Sequence, residues 1–173
     1  MTNINCSNAR IFLLILISII LASTGFASAQ IVAFGHSWAQ GALLPENETW
    51  PAVLESMLRA RGSQIHVINA GVNGETTDRG LARLDSAMPD GTKIVILTYN
   101  GGNDSRKLSY GNAHAHANID AMKSKIRARG IRLIDATGNY SSLMRQPGLV
   151  MPDGRHLNAE GNQRLAAILA RML

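Results

Sequence analysis

The chain contains a single cysteine, Cys6. It lies in a segment expected to be removed, so the remaining protein carries no thiol. Disulfides, cysteine metal ligands and a thiolate nucleophile are thereby excluded, and stability must come from packing alone. Blocks of like charge are also lacking: the formal net charge of +5 is spread along the sequence. The densest basic stretch, Lys123 to Arg132, falls on a predicted helix whose basic residues scatter around the cylinder. That describes a solvated face rather than a nucleic-acid site, and no nucleic-acid partner is expected. Gly71 and Gly74 lack the third glycine of a dinucleotide fingerprint, so a nicotinamide enzyme is not supported and no cofactor is implied. No repeat or low-complexity linker interrupts the chain, which argues for one domain.

One long apolar run exists, Ile11 to Ala22. It is shorter than the ~20 residues needed to span a bilayer. Arg10 precedes it, and Ala27-Ser28-Ala29 follows ahead of Gln30. This is the layout of a secretory signal peptide over residues 1–29, with a folded domain over 30–173, a periplasmic or secreted location, and no stable membrane anchor after cleavage.

With 46% hydrophobic and 17% charged residues, the chain is ordinary for a compact domain. Gln30–Phe34 reads as a buried strand ending at Gly35, Ile65–Asn69 as a second, Lys93–Thr98 as a third and Ile131–Asp135 as a fourth. Between them, Thr49–Arg61 has Val53, Leu54, Met57 and Leu58 at helical spacing, Pro51 near its start and Gly62 past its end. Thr77–Met88 and Ala113–Arg129 are also predicted helices, and Ala159–Met172 is the last. Helices alternating with short apolar strands imply right-handed β-α-β units and a small parallel sheet covered on both faces, a three-layer α/β/α sandwich. Ligands bind beyond the carboxyl ends of such strands, where Ser37, Gly74 and Asn103 fall.

Two segments carry chemistry. Ser37 follows the first strand in Phe34-Gly35-His36-Ser37, and Asp153-Gly154-Arg155-His156 precedes the last helix. A serine hydroxyl is a poor nucleophile at neutral pH and needs an imidazole to take its proton, held in turn by a third group. His156 and Asp153 supply both. His114 and His116 form an H-x-H pair without acidic or cysteine company, so a solvated pair is expected rather than a metal site, and no metal is implied. His66, in a strand, is expected to be half-buried. Trp50 is expected to pack at a helix start, and Trp38 to line an acyl or aryl pocket.

Four blocks then resemble the SGNH hydrolases, the GDSL-type esterase and lipase superfamily. They are Phe34-Gly35-His36-Ser37, Asn69 to Thr77 with Gly74, Gly101-Gly102-Asn103-Asp104, and Asp153 to Gly161. They occur in the family's order across nearly all of residues 30–173. Small size, the export signal and the wording of the second block are most similar to its bacterial thioesterase, lysophospholipase and arylesterase branch. The resemblance implies the flavodoxin-like SGNH fold. It implies a serine hydrolase acting on small-molecule carboxylic esters, thioesters included, through an acyl-enzyme on Ser37. It assigns the oxyanion donors to the backbone N–H groups of Ser37 and Gly74 and the side-chain amide of Asn103. The alternatives are a carbohydrate O-acetyl esterase of envelope glycans and a degenerate SGNH-fold binding protein without turnover.

Two departures stand out. His36 replaces the aspartate that usually precedes the nucleophile; its side chain is expected to point away from Ser37 and to tune the site. Only about fifty residues separate Asn103 from Asp153, seemingly one strand-helix unit fewer than in the related branch. Tyr110–Ala117 and Asn139–Met151 are then expected to act as short walls or lids around a small, open pocket suited to short acyl or aryl esters.

Overall fold

A computed structural model describes residues 30–108 and 112–173. The segment 1–29, expected to be a signal peptide, and the start of the wall expected over Tyr110–Ala117 lie outside the described residues. Four parallel strands form one sheet among them: β1 (Gln30–Gly35), β2 (His66–Gly71), β3 (Thr92–Thr98) and β4 (Arg132–Asp135), in the order β2-β1-β3-β4. The helices are α1 (Ser37–Gln40), α2 (Trp50–Ala60), α3 (Thr77–Arg83), α4 (Gly102–Lys107), α5 (Asn112–Ala128), α6 (Thr137–Met144) and α7 (Ala159–Met172).

Alternation along the strands builds the three layers. Ile31 and Ala33 of β1, Ile96 of β3 and Ile134 of β4 point to one face, where Leu54 and Leu58 of α2 and Leu165 and Leu169 of α7 cover them. Val32, Phe34, Val95 and Leu97 point to the other and meet Leu84, Met122 and Ile126. The sandwich expected from the sequence is therefore present, with α7 at its expected bounds.

Three elements are shorter or newer than the sequence reading. The helix expected over Thr77–Met88 ends at Arg83, although Leu84 and Met88 remain buried in successive turns. The glycine-rich turn after β3 winds directly into α4, and part of the expected wall after β4 is the helix α6. His66 is exposed rather than half-buried, because it begins β2 at the edge of the sheet; its Nδ1 lies 3.6 Å from Glu55.

Every parallel strand delivers its carboxyl end to the same rim, and close packing there depends on glycine. A Cβ at Gly35 would stand 2.5 Å from the Thr98 carbonyl oxygen, and one at Gly71 would collide with the Gln40 backbone. Gly74, just beyond β2, holds φ at +69°, a conformation that side chains disfavour.

Candidate active site

Ser37 opens α1 immediately past β1, so its backbone N–H is among those a helix start leaves without an intrahelical partner. His156 comes from the loop before α7, 119 residues away. Its Nε2 accepts from the Ser37 hydroxyl at 2.8 Å, and its Nδ1–H donates to Asp153 Oδ2 at 2.5 Å. Asp153 Oδ1 also accepts from the backbone N–H groups of Arg155 (3.0 Å) and His156 (3.2 Å). Burial pushes the Asp153 carboxyl upward, but these N–H donors and the imidazole outweigh it and hold the group below the ordinary carboxylate range. It is thus an anion at neutral pH, suited to fixing the Nδ1–H tautomer of His156.

The loop is pinned on both sides of His156. The Trp38 indole Nε1–H donates to the Arg155 carbonyl at 3.0 Å, and the Leu157 N–H donates to the Tyr140 hydroxyl at 2.9 Å. Met151 N–H closes onto the His156 carbonyl at 2.8 Å. Behind it, buried Asn162 accepts from Trp50 N–H (3.1 Å) and donates to the carbonyls of Leu157 and Asn158 (3.0 Å each). Asn158 caps α7 by accepting from Gly161 N–H.

Gly74 and Asn103 reach the same place from β2 and β3. Asn103, 5% exposed, donates one Nδ2 hydrogen to the Glu75 carbonyl at 2.8 Å, and its Oδ1 accepts from Arg106 at 2.5 Å. With both ends held, the amide's second hydrogen is left for another acceptor. Lys107 Nζ donates to the Gly74 carbonyl at 2.6 Å, tying α4 to the turn after β2. Asp104 accepts from Thr77 Oγ1 (2.6 Å) and from its backbone N–H (3.1 Å), joining the second and third sequence blocks. An open cavity of about 330 Å³ is lined by Ser37, Gly74, Asn103 and His156, with Trp38, Arg106, Met144 and Arg155 among its walls. A larger one of about 460 Å³ lies beside it around Gln40, Leu43 and Asn69, touching the first only at Asn73 and holding none of this chemistry.

His36 departs from expectation. Its ring does not turn away from Ser37: Nδ1 lies 3.4 Å from Ser37 Oγ and accepts the Trp38 N–H at 3.3 Å, capping α1. A short strand-to-helix turn leaves this side chain no exit to solvent, so it is packed inward, 3% exposed, edge-on to Trp38 and Tyr99. Burial lowers its pKa to about 4, so it is neutral at physiological pH.

Trp38 lines the cavity as expected and stacks on Tyr140 at 4.2 Å, while Trp50 is fully buried at the start of α2. His114 pairs with Asp78 at 2.8 Å, and among the described residues no three His, Cys, Asp or Glu side chains cluster to hold a metal. The sequence reading gave no role to Glu75 or Arg83, and none to Tyr99 beyond a departure from the family's pattern that could reshape the pocket. Buried Glu75 accepts from Arg83 Nε and Nη2, both at 2.7 Å, and from the Tyr99 hydroxyl, while Arg83 also reaches the Gly35 carbonyl at 3.2 Å. Burial and the Glu75 carboxylate push the Tyr99 phenol well up, so it stays protonated as a donor. Glu75 sits inside the second block, but nothing in its sequence marks two partners 8 and 24 positions away.

The model of the GDSL-like lipase/acylhydrolase family matches residues 33–172. The chain belongs to that family. It is similar to an arylesterase of Vibrio mimicus, 29% identical over 114 residues, covering 66% of this chain and 56% of that protein. It is also similar to the esterase TesA of Pseudomonas aeruginosa, 26% identical over 118 residues, with 68% and 58% covered. The chain thus spans little more than half the length of these curated relatives. Among solved structures, the crystal structure of TesA superposes with a TM-score of 0.71 at 20% identity over 83% of this chain and 97% of that one. AlinE4, an SGNH-hydrolase family esterase, gives 0.59 at 28% identity over 84% and 94%. The SGNH fold inferred from the four sequence blocks is the fold observed.

Proposed function

We propose that this GDSL-family protein is an exported esterase that hydrolyses small carboxylic esters through an acyl-enzyme on Ser37. The single observation that carries the reading is the contact sequence from Ser37 Oγ through the His156 imidazole to the Asp153 carboxylate, at 2.8 and 2.5 Å.

Ser37 Oγ attacks the ester carbonyl while His156 Nε2 takes its proton. Asp153 steadies the imidazolium that forms. Negative charge on the former carbonyl oxygen is met by the Ser37 and Gly74 N–H groups and by the second Nδ2 hydrogen of Asn103. On collapse, the carbon–oxygen bond to the alcohol breaks and His156 returns the proton to that alcohol. Water then enters, gives its proton to His156, attacks the acyl carbon and releases the acid as Ser37 Oγ regains its proton. Thioesters follow the same steps, with a thiol leaving.

The small, open cavity supports short acyl or aryl esters over long chains. Export is supported by the charged, apolar and small-residue order of residues 1–29. No helix among the described residues is long and apolar enough to cross a membrane. Neither the glycan deacetylase nor the binding-only alternative gains an observation of its own. Rates on acetyl, butyryl and octanoyl p-nitrophenyl esters test the proposal. Turnover that falls with chain length and vanishes in Ser37→Ala is expected; equal turnover in Ser37→Ala would defeat it.

A further inference from the structure

The cavity that holds Ser37 and His156 has walls of one charge. Arg106 and Arg155 both line it, and no carboxylate is among its lining residues. Trp38 and Met144 are the large apolar side chains there, beside the amides of three asparagines. Lys107 adds a third cation at the edge, with Nζ 2.6 Å from the Gly74 carbonyl.

None of the three is neutralised from within the protein. All 12 Asp and Glu residues lie among the described residues. Their ion pairs engage Arg59, Arg83, Lys123, Lys125, Arg164 and three histidines, and leave out Arg106, Lys107 and Arg155. The acids nearest the catalytic groups are spent elsewhere: Asp153 accepts from His156, Glu75 from Arg83, and Asp104, 2% exposed, from Thr77. Arg106 gives a hydrogen bond to the neutral Asn103 Oδ1, and the Arg155 guanidinium has no hydrogen-bond partner among the described residues.

Exposed arginines are ordinary on a protein surface. Two in the wall of one concave site, with no acid opposite, concentrate a positive potential where substrate must enter. A guanidinium meets a carboxylate or phosphate through two parallel N–H···O bonds, which fixes orientation as well as charge. The side of the cavity matters too. His156 must return its proton to the departing alcohol, so that alcohol lies along the wall that carries His156, and Arg155 is the adjoining residue of that wall.

We propose that Arg155, supported by Arg106, selects esters whose alcohol carries an anionic oxygen group, a carboxylate or a phosphate, close to the ester bond. This rests on the reading of Ser37 as nucleophile and His156 as its base. Binding energy from the anion then holds the alcohol oxygen beside His156 Nε2, and the acyl group needs little apolar wall of its own.

The test compares 4-acetoxybenzoate with its neutral methyl ester, each kcat/KM divided by the rate of alkaline hydrolysis of the same compound. The native protein is expected to favour the anionic ester about tenfold, with the preference shrinking as salt is added. Arg155→Gln should remove most of it and Arg155→Glu reverse it; taking the ratio within each variant cancels any general loss of turnover. A second measurement needs no turnover: NMR titration of Ser37→Ala with benzoate, phenyl phosphate and uncharged benzamide, read at the Trp38 indole N–H. Benzoate or phenyl phosphate is expected to shift that resonance at lower concentration than benzamide, and the tighter of the two anions identifies the group selected. A corrected ratio near one in the native protein, a preference that survives Arg155→Glu, or equal binding of anions and benzamide overturns the proposal. No hydrolysis of either ester by the folded native protein instead defeats the reading of Ser37 as nucleophile, and the titration still decides the anion site.

Discussion

Trp38 and Tyr140 stack nearly parallel, 4.2 Å apart at 9°, and each holds one side of His156, the indole through the Arg155 carbonyl and the phenol through the Leu157 N–H. The pair joins the helix that carries Ser37 to the loop that carries His156. Tyr140→Phe keeps the stack and removes only the acceptor of a buried N–H. It is expected to lower stability by about 1–2 kcal/mol in denaturant titration and to reduce kcat more than it raises KM. Loss of stability with an untouched kcat would mean that His156 needs no such clamp.

Asn103 has its carbonyl end fixed by Arg106 and its amide end by the Glu75 carbonyl. Asn103→Ala is expected to lower kcat about a hundredfold to a thousandfold, the usual effect of losing an oxyanion donor. Arg106→Ala should cost far less, since Glu75 still orients the amide. Steady-state ester hydrolysis by both variants checks the order.

The ion pair of Glu75 and Arg83 packs against Phe34, over whose ring the guanidinium lies at 4.4 Å, and the Glu75 side chain is only 4% exposed. Glu75→Gln removes the partner of a half-buried cation and is expected to destabilise the fold by about 3 kcal/mol. Thermal or denaturant unfolding of the variant measures it. A change within experimental error would show that Arg83 finds sufficient water.

His36 makes stability depend on pH. Its folded pKa is lowered to about 4 from 6.5. Between those values the unfolded chain takes up a proton that the folded protein refuses, so stability falls as pH drops, at a slope approaching about 1.4 kcal/mol per unit. Above pH 6.5 this contribution is flat. His36→Asn should remove the slope over that window, as seen by denaturant unfolding at a series of pH values. The depressed Asp153 carboxyl acts lower, its stabilisation fading only as pH falls below the ordinary carboxylate range.

Much of the layer architecture was legible because burial on both faces leaves continuous apolar runs, as in Ile31 to Phe34 and Ile94 to Leu97, and because α7 combines an Asn158 cap with a regular apolar stripe. Helices α1, α4 and α6, with 4, 6 and 8 residues, are too short to display a period, and so were read as turns or walls. The motif residues Ser37, Gly74, Asn103, Asp153 and His156 were legible as types in order. What orients them was not: the Trp38 to Arg155 contact spans 117 positions, and the Glu75 to Tyr99 contact 24. The inward turn of His36 was missed for the same reason, since Tyr99 and Asn100, which receive its ring, come from another strand end.

The central claim is that Ser37 is a nucleophile activated by His156. Intact-mass and peptide analysis of residues 30–173 after exposure to a fluorophosphonate, beside Ser37→Ala and His156→Ala, tests it most directly. One adduct on Ser37 is expected, absent in Ser37→Ala and slowed by about a thousandfold or more in His156→Ala. A folded native protein that takes no adduct, or takes it on another residue, would contradict the claim.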